Sequence, residues 1–135
     1  MDYALTIEVD LPYEDTVTKV REAFAAQGFG ILTEIDVQAT LKAKTGIDME
    51  PYVILGACNP QLAHQALDIE REIGLLLPCN VVVRAGQGCT LVQALDPKVI
   101  VEVPARDELT PIAEEAGRRI RAALDNLRLA TPANP

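Results

Sequence analysis

Apolar and polar residues alternate at the start of the chain. Leu5, Ile7 and Val9 fall on one side and Thr6, Glu8 and Asp10 on the other, the period of a half-buried strand. Pro12 ends it. From about Glu14 to Gln27 the period becomes helical, with Val17, Val20 and Phe24 in one stripe and Gly28 just past the end. Ile31, Thr33 and Ile35 predict a second strand. Asp36 then suits the N-cap of a short helix through Val37, Leu41 and Lys44, stopped by Gly46. Pro51 to Ala57 is apolar on both sides, which predicts a strand inside the sheet. Pro60 to about Glu72 reads as a helix with Leu62, Ala66 and Ile69 inward. Val81-Val82-Val83 marks a strand within Leu75 to Arg84. Ala85-Gly86-Gln87-Gly88 is a hairpin turn, and Cys89 to Leu95 returns with Thr90, Val92 and Ala94 on one side.

Asp96-Pro97 breaks the chain. Lys98 to Val103 fits a strand by its β-branched residues and a helical turn by the proline before it. Thr110-Pro111 opens a last helix whose stripe is Ile112, Ala116, Ile120, Ala123, Leu124 and Leu127. Glu114 and Glu115 near its start and Arg118, Arg119, Arg121 and Arg128 further on complement the helix dipole. Residues 131–135 read as a disordered tail. The expected architecture is a single α+β domain over residues 1–130, in the order β-α-β-α-β-α-β-β-α. Two βαβ-like halves and a hairpin build one mixed sheet of about five strands, with helices mainly on one face. The other face then needs a cover, which a second subunit can supply.

Composition narrows the partners. The 135 residues carry a net charge of −8, which repels nucleic acid and anionic membranes. Two Phe, three Tyr and no Trp leave little for stacking bases, so the core must be Val, Ile, Leu and Ala. No apolar run approaches the ~20 residues of a membrane span, and Met1-Asp2-Tyr3 leads directly into a strand rather than a secretory leader. Three cysteines at irregular spacing are not a disulfide framework. These features predict a cytoplasmic protein with reduced thiols.

Chemistry concentrates at Cys58-Asn59-Pro60. Asn59 is a favoured N-cap and Pro60 a favoured first helical residue, so Cys58 sits where a strand hands over to a helix. A thiol there can ionise more easily and act as a nucleophile, although Pro60 has no N–H to offer and Asn59 competes for the next donors. The same position also suits a small buried residue. His64 lies on the following helix, within reach as a base if its ring leans back. Cys79 is a candidate resolving thiol. Parallel strands would leave it roughly 17 Å from Cys58, whereas antiparallel ones would let the two meet; the βαβ reading favours separation. Glu34, Asp36 and Asp68 are acidic groups that can line a ligand site near Cys58. Asp36 has an equally good role as a plain cap. One histidine and no Cys-x-x-Cys pair argue against a metal site, and no motif points to a cofactor.

Three segments in order and spacing resemble the family called domain of unknown function 302. They are Gly28-Phe29-Gly30-Ile31-Leu32-Thr33-Glu34-Ile35-Asp36-Val37; Ile54-Leu55-Gly56-Ala57-Cys58-Asn59-Pro60 with Ala63 and Leu67; and Leu76-Leu77-Pro78-Cys79-Asn80-Val81. The resemblance spans about Tyr3 to Leu127. It implies a small α+β domain, often a homodimer, with no established activity. It also implies that Cys58 and Cys79 belong to the family pattern while Cys89 does not, and that Lys98 to Val103 is helical. The functional expectation is a homodimeric module that holds a small ligand near Cys58 through Cys58, Asn59, Asp36 and Glu34. The alternative is a thiol-dependent sulfur or redox enzyme that uses Cys58, His64 and Cys79.

Overall fold

The computed structural model describes residues 2–130, so the expected tail at 131–135 lies outside the described residues. Five strands form one sheet in the order β1-β5-β4-β3-β2: β1 (Ala4–Val9), β2 (Gly30–Asp36), β3 (Tyr52–Cys58), β4 (Cys79–Ala85) and β5 (Thr90–Leu95). Helices α1 (Tyr13–Ala26), α2 (Val37–Thr45), α3 (Pro60–Ile69) and α5 (Thr110–Ala130) fall where the periodicity places them. Between β5 and α5, Val99–Glu102 forms a short helix, α4, so the β-branched run there is helical rather than a strand. The fold is α+β, as expected.

The sheet, however, is antiparallel at every pairing rather than mixed. The expected βαβ geometry fails between β3 and β4. A parallel crossover needs its helix to carry the chain back along the sheet. Here α3 ends at Ile69, Glu70 is extended, and a 3₁₀ segment, Arg71–Leu76, follows. About 15 Å of α-helix is largely undone by about 12 Å of 3₁₀ helix. The chain therefore re-enters the sheet at the end it left, with Cys79 opposite Ala57.

Side-chain alternation builds the core. Ile7, Val9, Val53, Leu55, Ala57, Val81, Val83, Val92 and Ala94 all point to one face, where Val20 and Phe24 of α1 and Ile120, Ala123, Leu124 and Leu127 of α5 cover them. A second apolar cluster joins Ala66 of α3, Ile73, Ile100 of α4, and Leu109, Ile112 and Ala113 near the start of α5. On the other face of the sheet Tyr52, Ile54, Val82, Leu91 and Leu95 stay half-buried, and Ile35 is 49% exposed.

Gly56 lies on that second face beneath Thr33 and Pro78. A Cβ there would strike the Thr33 hydroxyl and come 2.8 Å from Pro78 Cγ. Gly56→Ala is therefore expected to cost about 1–3 kcal/mol of stability in urea unfolding, by overpacking. An unchanged midpoint would show that β2 and the Pro78 segment give way freely.

Candidate functional site

Cys58 is the last residue of β3, and α3 starts two residues later. The Asn59 carboxamide oxygen accepts from the Leu62 N–H at 3.1 Å, its carbonyl accepts from the Ala63 N–H at 2.9 Å, and Pro60 occupies the first helical position. The cap expected from the sequence thus forms, and it consumes donors that would have stabilised a thiolate.

A cavity of about 40 Å³ opens beside this junction. Its walls include Phe29, Cys58, Asn59, Leu62, Cys79 and Ile112. The second apolar cluster contributes Ala66, Ile100 and Ile112 to the lining, which is why the cavity is almost wholly hydrocarbon. Because β3 and β4 are antiparallel, Cys79 opposes Ala57 and stands one residue from Cys58 along the ladder. The separation that a parallel pairing implied is overturned: both thiols border one small space.

That environment changes the expected acid–base behaviour. Burial raises the Cys58 thiol pKa above its ordinary value instead of lowering it. Cys79 is pushed up to about 11, first by burial and then by the neighbouring Cys58. Both are free thiols and are held protonated at neutral pH.

The other expected site residues lie elsewhere. His64 is mostly exposed and points to Asp68, one turn along α3, at 3.7 Å; it is not part of the cavity wall. Gly30 is the β2 residue opposite Cys58, so Glu34 is about 13 Å and Asp36 about 20 Å further along the strand. Glu34 pairs with Arg21 at 2.8 Å, and Asp36 caps α2 by accepting from the Ala39 N–H at 2.9 Å. Neither acid borders the cavity. Cys89 sits at the β4–β5 hairpin, the opposite end of the sheet from Cys79. No group of three or more metal-ligating side chains occurs among the described residues. The sequence reading missed Phe29, Pro97, Ile100 and Ile112 as cavity residues. They meet only through tertiary packing. The one local hint was Phe29, an aromatic in an aromatic-poor chain, directly after a turn glycine.

The model of a domain of unknown function, DUF302, matches residues 5–127. The chain belongs to the DUF302 family. A crystal structure of an uncharacterised conserved DUF302 protein from Bacillus stearothermophilus is 32% identical and superposes with a TM-score of 0.88. The match covers 95% of this chain and 100% of that one. No curated protein matches. DUF302 membership assigns no activity, so function must be argued from the cleft. No helix among the described residues of this DUF302 chain is long and apolar enough to cross a membrane.

Proposed function

We propose that this DUF302 protein is a cytoplasmic, homodimeric binding module, not an enzyme, and that the cleft between Cys58 and Cys79 holds its small ligand. The observation that carries this reading is the cavity itself: an apolar space with one capped asparagine and two protonated thiols on its wall. Such a space suits retention of a small molecule better than the generation of a nucleophile. Three free thiols fit a reducing compartment.

The dimer reading is supported by the uncovered sheet face. Arg84 and Glu8 lie in one row across that face, at either side of Leu91. A two-fold axis near Leu91 would set Arg84 of each copy against Glu8 of the other, the self-complementarity an isologous contact requires. Half-buried Ile54, Val82, Leu91 and Leu95 supply its apolar centre.

A thiol enzyme with Cys58 as nucleophile and Cys79 as resolving thiol draws support from their adjacency alone. The raised pKa of both thiols and the outward turn of His64 count against it.

Native mass spectrometry of gently purified protein tests the reading. The expected species is twice the mass of one chain plus a small non-covalent addition that is lost on denaturation. A bare monomer at micromolar concentration would overturn both the dimer and the retained ligand.

A further inference from the structure

Cys58 ends β3 and Cys79 begins β4, so the two thiols stand at the same end of neighbouring antiparallel strands. Cys79 is paired with Ala57, which puts Cys58 one residue further along the ladder. From the strand rise and spacing, the two Cα atoms are roughly 6 Å apart. Side chains alternate along a strand, so Cys79 shares the face of Ala57 and Cys58 leaves the other face. Both nevertheless border one cavity, which opens where the β3–β4 ladder stops.

That arrangement decides what can join them. A disulfide needs Cβ atoms about 3.5–4.5 Å apart and aimed at each other. Side chains that start from opposite faces do not meet this without moving the backbone. An ion held between the sulfurs lengthens the bridge by two metal–sulfur bonds of about 2.3 Å each, the length found with zinc. It therefore spans thiols that a direct bond does not.

The lining selects the kind of ion. Asn59 is the one lining residue with a side-chain oxygen or nitrogen, and its oxygen accepts from the Leu62 N–H. Hard cations need several oxygen ligands, and structural zinc needs four ligands in all; neither set is supplied. Two sulfurs set in hydrocarbon suit a soft closed-shell ion that takes two ligands, which is copper in its monovalent state. About 40 Å³ is far below the roughly 300–1,000 Å³ of sites for drug-sized molecules, and ample for one ion. Both cysteines are only half-buried, so an ion can reach them from solvent. A copper(I) bis-thiolate carries one negative charge. The N-terminus of the ten-residue helix α3, two residues after Cys58, lies beside it with the favourable sign.

We propose that Cys58 and Cys79 bind a single copper(I) ion between them. This presupposes that the cavity is a ligand site, and it names the ligand. Each thiol gives its proton to solvent and its sulfur to the ion. One Cu⁺ and two thiols thus yield the linear complex and two protons, with no change in oxidation state. No Cys-x-x-Cys pair is needed, because two neighbouring strands bring the sulfurs to one place.

The test is a titration of the reduced full chain with copper(I), free of oxygen, against the colorimetric chelator bicinchoninate. The native protein should withdraw one copper per chain from the chelator and gain the ultraviolet charge-transfer absorbance of a thiolate–copper bond. Cys89→Ser should match it. Cys58→Ser and Cys79→Ser should each bind more than about a hundredfold more weakly, beyond the roughly 10–100-fold that loss of an outer partner costs. Circular dichroism checks that both fold. Cys58 is half-buried at a strand end, so its serine variant is expected to keep the fold even where Cys79→Ser does not. Native affinity in Cys58→Ser, or uptake that depends on Cys89, would overturn the two-cysteine site. A native protein that takes up no copper yet carries a retained molecule in native mass spectrometry would overturn the copper assignment and leave the cavity as a ligand site. No uptake and no retained molecule would sink both.

Discussion

Phe24→Ala is expected to lower stability by about 3–5 kcal/mol, a fall of about 10–20 °C in Tm for a domain of this size. Phe24 is fully buried on α1 and meets Phe29 edge-on, with ring centroids 5.8 Å apart and planes at 80°. The contact spans the turn at Gly28, whose N–H, like that of Phe29, is tied back to the end of α1. Removing the ring thus deletes a buried aromatic and its quadrupolar partner together, leaving a cavity between α1 and the sheet. Phe29 also lines the cavity beside Cys58, so, if that cavity holds a ligand as proposed, the variant should lose it before it unfolds. Thermal unfolding with native mass spectrometry reads both effects. A drop of less than about 1 kcal/mol would mean that the α1 core collapses around the gap and that Phe29 is held by other contacts.

Val82→Glu is expected to raise the dimer dissociation constant by at least about a hundredfold. Val82 lies on the uncovered face, in the third of the five strands, flanked by Ile54 on β3 and Gln93 on β5. In the isolated chain a glutamate there still faces solvent, so the fold should persist, as circular dichroism can verify. In a two-fold contact each copy would bury one unpaired carboxylate, and the two would repel. Glu8 and Arg84 would no longer be the only charges in balance. The neighbouring chain of hydrogen bonds, Arg84 Nε to Gln93 at 3.1 Å and Gln93 to the Thr6 hydroxyl at 3.2 Å, links β4, β5 and β1 across this face. Light scattering after size exclusion should show the native protein at twice the mass of Val82→Glu. Equal masses would remove this face as the interface.

Most of the architecture is readable from local signals. Alternation in Leu5-Ile7-Val9 and Thr90-Val92-Ala94, the stripe from Ile112 to Leu127, and the caps at Asp36 and Asn59 each depend on neighbours in the chain, and each forms as read. Strand direction is different in kind. Whether β4 runs with or against β3 depends on how far the intervening chain travels, and the extended residue Glu70 between two helical segments decides that without a strong local signature. The consequence reaches the site. Cys79 comes to Cys58, while Glu34 and Asp36, near in sequence pattern, are carried to the far end of β2. Thiol ionisation depends on tertiary packing for a related reason. The helix start is a local feature that favours a thiolate, whereas the apolar wall that opposes it is assembled from α3, α4, α5 and the Phe29 turn.

Everything about the site depends on the antiparallel register that closes Cys58 and Cys79 around one cleft, and a bifunctional thiol reagent that fluoresces only when both ends react tests it directly. Native protein treated with dibromobimane should become fluorescent, slowly near pH 7 and much faster as pH rises towards 10, because both thiols must first lose protons that burial holds on. Cys89→Ser should behave as the native chain, and Cys58→Ser and Cys79→Ser should stay dark. A dark native protein at pH 10, or fluorescence that survives Cys79→Ser, would contradict the register and with it the cleft.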